Sequence, residues 1–135
     1  MTTASDIMTA KVVTIQQTAT VREALKLLAE LDVRHLPVVY ENENLVGMIS
    51  DRDLLRLRRS SETLGRSVSE VMSADVLVVT PTTHVDEIIE LMTEHRIGAL
   101  PVVDNESQIA GIVSYVDVLR AAGRAFAQIE PLLTS

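Results

Sequence analysis

The amino-acid sequence predicts an α/β fold built from two β-α-β-β-α repeats that pack sheet to sheet with pseudo-twofold symmetry. The main observation is an internal duplication. A shift of 64 residues aligns 6–56 with 70–120 without a gap, and about a third of the aligned positions are identical. A second observation is that helical and strand-like apolar patterns alternate in the same order in both halves. Because a unit of roughly 60 residues buries its own sheet poorly, two copies are expected to share a core.

We expect the first repeat at residues 5–59, a polar linker at 60–67, the second repeat at 68–122 and a C-terminal helical tail at 123–135. The elements of the first repeat are predicted in this order: a helical turn at 6–9, a strand at 12–15, a helix at 21–32, a strand at 36–40, a strand at 45–50 and a helix at 51–59.

Local signals justify these elements. Thr20 and Glu23 have the spacing of a capping box, and the apolar residues that follow recur at helical intervals. Pro37 cannot donate to a sheet ladder, so an edge or first-residue position is expected for it. The arginines at the end of the 51–59 segment suit the negative end of a helix dipole, and these are Arg56, Arg58 and Arg59.

The second repeat has the same order. Its long helix is predicted at 84–95 and its hairpin near 100–114. The last helix begins near residue 115 and could continue toward Pro131. The tail beyond residue 120 has no counterpart in the first repeat. It is amphipathic enough to dock on its own module or on a second subunit.

Composition and charge exclude several classes of protein. The formal net charge is −7 and there are three aromatic residues in 135, so binding of nucleic acid or of an anionic membrane surface is not expected. No cysteine is present, which excludes disulfides, a thiolate nucleophile and a cysteine-based zinc site. No signal peptide and no apolar run of about 20 residues is found, so we expect a soluble, cytoplasmic protein. The isolated His84 and His95 do not have the spacing of a metal site.

The stretch Gly47–Asp53 contains the pattern that carries most functional information. A glycine is followed three residues later by Ser50 and three residues after that by Asp53, and the pattern returns at Gly111, Ser114 and Asp117. Ser-x-x-Asp before a helix is also a common helix cap. From spacing alone, both a capping role and a ligand-binding role stay open.

The sequence resembles the CBS-domain pair, or Bateman module, over about residues 5–122. The residues that carry the resemblance recur in each half in the same order. In the first half they are 6–9, 12–15, 20–25, 35–39 and 47–53. The resemblance implies a tandem CBS-domain pair that binds an adenosine-containing ligand between its repeats. AMP, ADP, ATP and S-adenosylmethionine are the candidates, and no obligatory cofactor is implied.

The resemblance also implies roles for particular residues. Asp53 and Asp117 would hold ribose, and Ser50 and Ser114 would hold phosphate. Basic residues at the positions of Arg34 and His35, joined by Arg52, would neutralise ligand phosphates. Apolar residues would face adenine or, equally, belong to an ordinary core, and these candidates are Val12, Val13, Ile15, Val76, Leu77 and Val79. Thr14 is a further candidate for ligand binding.

The two copies differ around the motif. Gly98 and Ala99 replace Arg34 and His35, while Tyr115 and Val116 replace Asp51 and Arg52. We therefore predict a phosphate-competent site at the Asp53 motif and a weaker, apolar or empty one at the Asp117 motif.

The expected function is a regulatory module that senses an adenosine-containing ligand, forms a homodimer and transmits binding to a protein target. The sequence contains no output domain, so that target would be separate unless this chain is part of a longer one. The alternative is a nucleotide-independent dimerisation or interaction scaffold with vestigial clefts. Catalysis is not expected, because no base is positioned to activate a serine nucleophile.

Overall fold

The computed structural model describes residues 1–57 and 60–134, with side chains described up to residue 130. Six helices, a single 3₁₀ turn and five strands make up this described part of the chain. In order they are α1 (Ala4–Ile7), β1 (Ile15–Gln16), α2 (Val21–Leu31), β2 (His35–Tyr40), β3 (Asn44–Ser50), α3 (Asp51–Leu55), α4 (Ser61–Leu64), the 3₁₀ turn Val68–Glu70, α5 (Val85–His95), β4 (Ala99–Val103), β5 (Ile109–Ser114) and α6 (Tyr115–Thr134).

The strands form two sheets. In the three-stranded sheet, β2 lies between β1, to which it is parallel, and β3, to which it is antiparallel. The second sheet contains β4 and β5, and residue Val79 forms an isolated parallel bridge to Val102 where the first sheet has β1. This α/β arrangement with a duplicated order of elements confirms the predicted fold class.

The predicted strand at 12–15 is wrong for residues 12–14, because β1 begins only at Ile15. Pro37, expected on an edge strand or as the first residue of a strand, instead lies inside the central strand β2 opposite Met48. The Met48 backbone N–H and C=O both bond to Ser73, at 2.9 Å, so Pro37 and Met48 are a pair without mutual hydrogen bonds. The missing N–H of Pro37 therefore faces β1, and the parallel ladder starts only one residue later, at Val38.

The two long helices are confirmed within one residue. Thr20 and Glu23 form the reciprocal capping box, in which the Glu23 amide donates to the Thr20 hydroxyl at 3.1 Å. The first helical turn lies at 4–7 rather than 6–9, since Thr3 and Asp6 cap it two residues earlier than expected.

The helix predicted at 51–59 is shorter than expected and ends at Leu55, with Arg56 as its C-cap. Arg58 and Arg59, the rest of the predicted helix end, lie outside the described residues. The predicted polar linker contains α4. The Thr63 amide donates to the hydroxyl of Ser60 at 3.1 Å, and this N-cap bond supports the short helix.

The chain divides into two compact units, and each takes a segment from the other repeat. The Asp53 unit consists of Val13–Leu77 and Asn105–Ile109. The Asp117 unit consists of Met1–Val12, Val78–Asp104 and Ala110–Ser135. The repeats at 5–59 and 68–122 are defined by the sequence duplication, and their boundaries remain a prediction. The two compact units group the residues differently.

The motif glycines permit a close approach inside each unit. A Cβ atom on Gly47 would lie 2.5 Å from the Met72 sulfur and 2.9 Å from the Ser73 carbonyl oxygen. On Gly111 it would lie 2.7 Å from the Met8 sulfur and 2.8 Å from the oxygen of Thr9. Glycine is therefore required at both positions by packing.

Each unit has its own aliphatic core. In the Asp53 unit the core brings α2 against β2 and β3, and in the Asp117 unit it brings α1 and α5 against β4 and β5. Helix α6 continues past residue 120, as the sequence allowed, and ends at Thr134. Among the helices in the described part of the chain, none combines the length and apolar character needed to cross a bilayer.

Candidate functional site

The register of β2 and β3 brings the basic pair to the motif in the Asp53 unit. His35, the first residue of β2, lies directly opposite Ser50, the last residue of β3. The backbone N–H of Asp51 donates to the Arg34 carbonyl at 2.9 Å, which holds the start of α3 against the residue before β2. Residues 15 and 17 positions apart in sequence are thereby adjacent in space.

Ser50 and Asp53 form a reciprocal capping box. The Ser50 amide donates to Asp53 Oδ2 at 3.0 Å, and the Asp53 amide donates to Ser50 Oγ at 3.1 Å. The capping role that the spacing suggested is therefore confirmed. Among the described residues, Asp53 Oδ1 and the Ser50 O–H make no hydrogen bond, so an acceptor and a donor lie side by side at this cap.

The surroundings of this cap contain charges of both signs. Arg34 and Arg52 are exposed, whereas His35 is partly buried. Burial lowers the pKa of His35 below its ordinary value, and nearby Arg34 acts in the same direction, while Asp51 and Asp53 oppose the shift. An anion bound here would favour the protonated imidazole.

The equivalent cap in the Asp117 unit uses more of its polar atoms internally. The Ser114 amide donates to Asp117 Oδ2 at 2.8 Å, and the Asp117 amide donates to Ser114 Oγ at 3.3 Å. In addition, the Ser114 hydroxyl donates to the same Oδ2 atom at 3.1 Å. Asp117 is only 7% exposed and is buried, unlike Asp53.

The second cap also has a cation that the sequence interpretation missed. Arg120 Nη1 lies 3.6 Å from Asp117 Oδ1 in an ion pair across one helical turn. Arg120 is an additional cation and not a counterpart of Arg34, His35 or Arg52, whose positions in the second copy hold Gly98, Ala99 and Val116. The i, i+3 spacing of Asp117 and Arg120 on one helix was the signal that could have found this pair. The position of the Arg34–His35 pair is taken by Gly98 and Ala99, and the Tyr115 amide donates to the Gly98 carbonyl at 3.0 Å.

The predicted adenine-facing residues lie in different environments. Val13 and Leu77 are 45% and 37% exposed, so each presents apolar surface to solvent. Val79 is 4% exposed and belongs to the core of the Asp117 unit. The Thr14 hydroxyl lies 3.2 Å from a carboxylate oxygen of Glu43, a partner that the sequence did not indicate.

Among the residues that the structure describes, no group of three or more His, Asp or Glu side chains is arranged to hold a metal ion. The polar atoms of the first cap instead suit an organic ligand with hydroxyl and anionic groups. A carboxylate oxygen accepts bonds from hydroxyls, and an arginine and a histidine attract phosphate.

Comparison with known protein families matches the CBS domain twice, at residues 4–60 and 68–124. The CBS domain-containing protein YhcV of Bacillus subtilis is 35% identical over 119 residues, which are 87% of this chain and 84% of that protein. Other relatives are much longer. The chain spans only 24% of a homoserine O-acetyltransferase of Methanococcoides burtonii, at 34% identity over 90% of this chain.

Solved structures with the same fold contain adenosine compounds. CBSX2 in complex with AMP is 34% identical, with a TM-score of 0.85 over 93% of this chain and 98% of that one. CBSX2 comes from Arabidopsis thaliana. The CBS domain pair of protein MJ0100, in complex with 5′-methylthioadenosine and S-adenosyl-L-methionine, is 28% identical with a TM-score of 0.84 and covers 93% and 98% of the two chains. The cytosolic domain of the Mg²⁺ channel MgtE, in complex with ATP, is 33% identical with a TM-score of 0.77, over 89% of this chain and 48% of that one.

Proposed function

The chain belongs to the CBS-domain family, and we propose that it is a regulatory module that senses an adenosine-containing ligand. The observation that carries the proposal is the Ser50–Asp53 cap, where one carboxylate oxygen and one hydroxyl remain available beside Arg34 and His35. The relatives that contain AMP, ATP or S-adenosylmethionine support this class of ligand.

We assign the ribose to Asp53. Its Oδ2 atom is used by the cap, and Oδ1 would accept hydrogen bonds from ribose hydroxyls. The phosphate would be held by the Ser50 hydroxyl, with Arg34, His35 and Arg52 supplying positive charge. Helix α3 has only five residues, so its dipole contributes little and the side chains carry this role.

We assign the apolar face of adenine to Val13 and Leu77, whose side chains are partly exposed. Thr14 remains a candidate for this ligand and Val79 for a ligand at the Asp117 motif, although each already has a partner within its own unit. The second site, at Ser114 and Asp117, is proposed to bind more weakly because its polar atoms are paired with each other and with Arg120.

The proposed output is a change in conformation that a protein target recognises, most simply through a homodimer. A ligand shifts such an equilibrium only by the difference between its affinities for the two states. The formal charge of −7 argues against nucleic acid as the partner. A cytoplasmic location is part of the same proposal.

A nucleotide-independent interaction scaffold is the second candidate. It is favoured by the exposed apolar side chains along α6, which a ligand-sensing role does not require. Under this alternative the motif residues would be helix caps alone.

The experiment that separates the two functions is isothermal titration with AMP, ATP and S-adenosylmethionine, run beside melting curves with each ligand. A ligand that binds only the folded state must raise Tm. Asp53→Asn keeps an oxygen acceptor for the Ser50 amide, so we expect stability to change little. It loses the second carboxylate oxygen and the negative charge, so affinity should fall about tenfold, the value of one charged hydrogen bond.

Asp117→Asn is the matched control and should leave that affinity nearly unchanged. Silence toward all three compounds would favour the scaffold. Equal losses from both asparagine variants would contradict the assignment of the ligand to the Asp53 motif.

A further inference from the structure

Methionine is the only sulfur-containing residue type in this chain, which has five methionines and no cysteine. The five differ in exposure. Met1 is 91% exposed, whereas Met48 and Met92 are each 7% exposed and lie in the interior. Met8 and Met72 are half-buried. These last two are 64 residues apart, so they occupy the same position in the two copies of the duplicated unit.

In both units the half-buried methionine lies against the glycine of the motif. A Cβ atom on Gly47 would be 2.5 Å from the Met72 sulfur, and one on Gly111 would be 2.7 Å from the Met8 sulfur. Each sulfur therefore occupies the space that a side chain at the glycine position would need. Each methionine also packs against the aliphatic core of its own unit. The glycine side of either sulfur has no room for a further atom.

The residue after each methionine is fixed by two backbone hydrogen bonds. Ser73 exchanges N–H···O bonds with Met48, both at 2.9 Å. Thr9 does the same with Ile112, at 2.9 and 3.0 Å. Met48 and Ile112 directly follow the two motif glycines. The methionine side chain and the backbone bridge beside it therefore hold the same strand at the same place, just before the capping serine.

We propose that Met8 and Met72 are sites of reversible oxidation by hydroperoxides, and that their oxidation loosens the strand that leads into each motif. In this reaction the thioether sulfur gives two electrons to one peroxide oxygen and forms a bond to it. The O–O bond breaks, the second oxygen takes up a proton and leaves as water or an alcohol, and the sulfur becomes a sulfoxide. A dithiol reductase restores the thioether, with a disulfide and water as the products.

The sulfoxide is larger and more polar than the thioether, and the site accommodates neither property. Its S–O dipole would lie at the edge of an aliphatic core, where a polar group without a partner is destabilising. If the side chain turns away to reach solvent, the glycine loses its packing partner and the adjacent bridge loses its support. Both effects are local to the unit that contains the oxidised methionine.

The first experiment treats the full chain with hydrogen peroxide and follows each methionine by peptide mass spectrometry. Susceptibility follows exposure, so we expect Met1 to react first and the half-buried pair next, before the two buried methionines. The melting temperature should fall by roughly 5 °C as the half-buried pair reacts. Reductases for both sulfoxide epimers should then restore it.

The second experiment measures amide hydrogen exchange, which reports local opening. Oxidation of either half-buried methionine should raise exchange about tenfold at the two amides of the bridge in its own unit. Met72→Leu keeps an apolar side chain of similar volume but cannot be oxidised, so peroxide should then loosen only the bridge of the Asp117 unit. Met8→Leu should leave only the bridge of the Asp53 unit sensitive. Met92→Leu, in the buried core, is the matched control and should respond to peroxide like the parent.

The proposal is overturned if Met8 and Met72 remain reduced in the folded chain after Met1 is fully oxidised. It is also overturned if both are oxidised while the melting temperature and the exchange of both bridges stay unchanged. Equally fast oxidation of Met48 and Met92 would show that peroxide reaches the sulfur atoms through global unfolding, so that neither position is a specific site. A melting temperature that the reductases do not restore would contradict reversibility. None of these measurements uses a nucleotide, so their outcome is independent of the proposed ligand.

Discussion

The two copies of the Gly-x-x-Ser-x-x-Asp motif have the same local structure but different free atoms. In both, serine and aspartate cap a helix reciprocally. At Ser50 and Asp53, one carboxylate oxygen and the hydroxyl hydrogen have no partner among the described residues. In the second copy, the Ser114 hydroxyl donates to Asp117 Oδ2, and Asp117 Oδ1 pairs with Arg120.

This comparison shows that the motif specifies the cap, while its neighbours determine whether the cap can also bind a ligand. A capping box satisfies two backbone donors and uses one oxygen of each side chain. What remains depends on residues outside the motif, such as the basic pair at the start of β2.

The largest effect is expected where the copies are alike. Gly47→Ala and Gly111→Ala should each lower the free energy of unfolding by about 3 kcal/mol, because the new Cβ would overlap a methionine sulfur and a backbone oxygen. Urea unfolding measures the loss. Gly123→Ala is the control, since a Cβ there meets nothing within 4 Å, and it should stabilise α6 by about 0.5–1 kcal/mol. A loss below 1 kcal/mol at either motif glycine would show that the close approach relaxes easily.

The capping aspartates should differ in stability. Asp117→Ala removes a buried carboxylate that accepts from two Ser114 groups and pairs with Arg120, so we expect a loss of about 2 kcal/mol. Asp53→Ala removes a partly exposed cap and should cost about 1 kcal/mol. The same unfolding curves measure both. Equal losses would mean that the extra contacts of Asp117 add nothing to the cap.

The basic pair should make only the first copy sensitive to ligand charge. Arg34→Ala should weaken ATP binding about fivefold and adenosine binding very little, because a charged hydrogen bond to phosphate is lost at an exposed position. Calorimetric titration measures both ligands. Arg22→Ala, which removes an exposed arginine of α2, should leave both affinities unchanged. An equal, fivefold loss of affinity for adenosine would show that Arg34 does not bind the phosphate.

The smallest effect is a dependence of stability on pH. It is expected from the first copy, which has His35, and not from the second, which has Ala99 at the equivalent position. The pKa of His35 is lowered in the folded state by burial, so the fold prefers the neutral imidazole. Above the ordinary value near 6.5, His35 contributes no pH dependence. As pH falls below that value, the unfolded chain binds the proton first and stability decreases.

Melting temperatures between pH 8 and 5 measure this slope. His35→Gln should flatten the dependence of Tm on pH. A phosphate-bearing ligand should also reduce this dependence, because it favours the charged imidazole. An unchanged slope in His35→Gln would assign the pH dependence to other groups.

Much of this fold followed from pattern and spacing. The long helices α2 and α5 were predicted within a residue because capping and helical periodicity are local signals. Segment ends at the sheet were less predictable. The start of β1 depends on a missing donor in Pro37, which lies more than 20 positions further along the chain. The pairing of Arg120 with Asp117 was local and was missed.

The sequence by itself determined the duplication, the order of the elements and the identity of the capping residues, because each of these depends on neighbours along the chain. Only the tertiary structure decided why the motif glycines are needed, since Met72 and Met8 reach them from segments far away in sequence. It also decided which polar atoms of the two caps remain available. That outcome depends on side-chain geometry, because the Ser114 hydroxyl donates to Asp117 and Arg120 pairs with it, while Ser50 and Asp53 make only the two capping bonds.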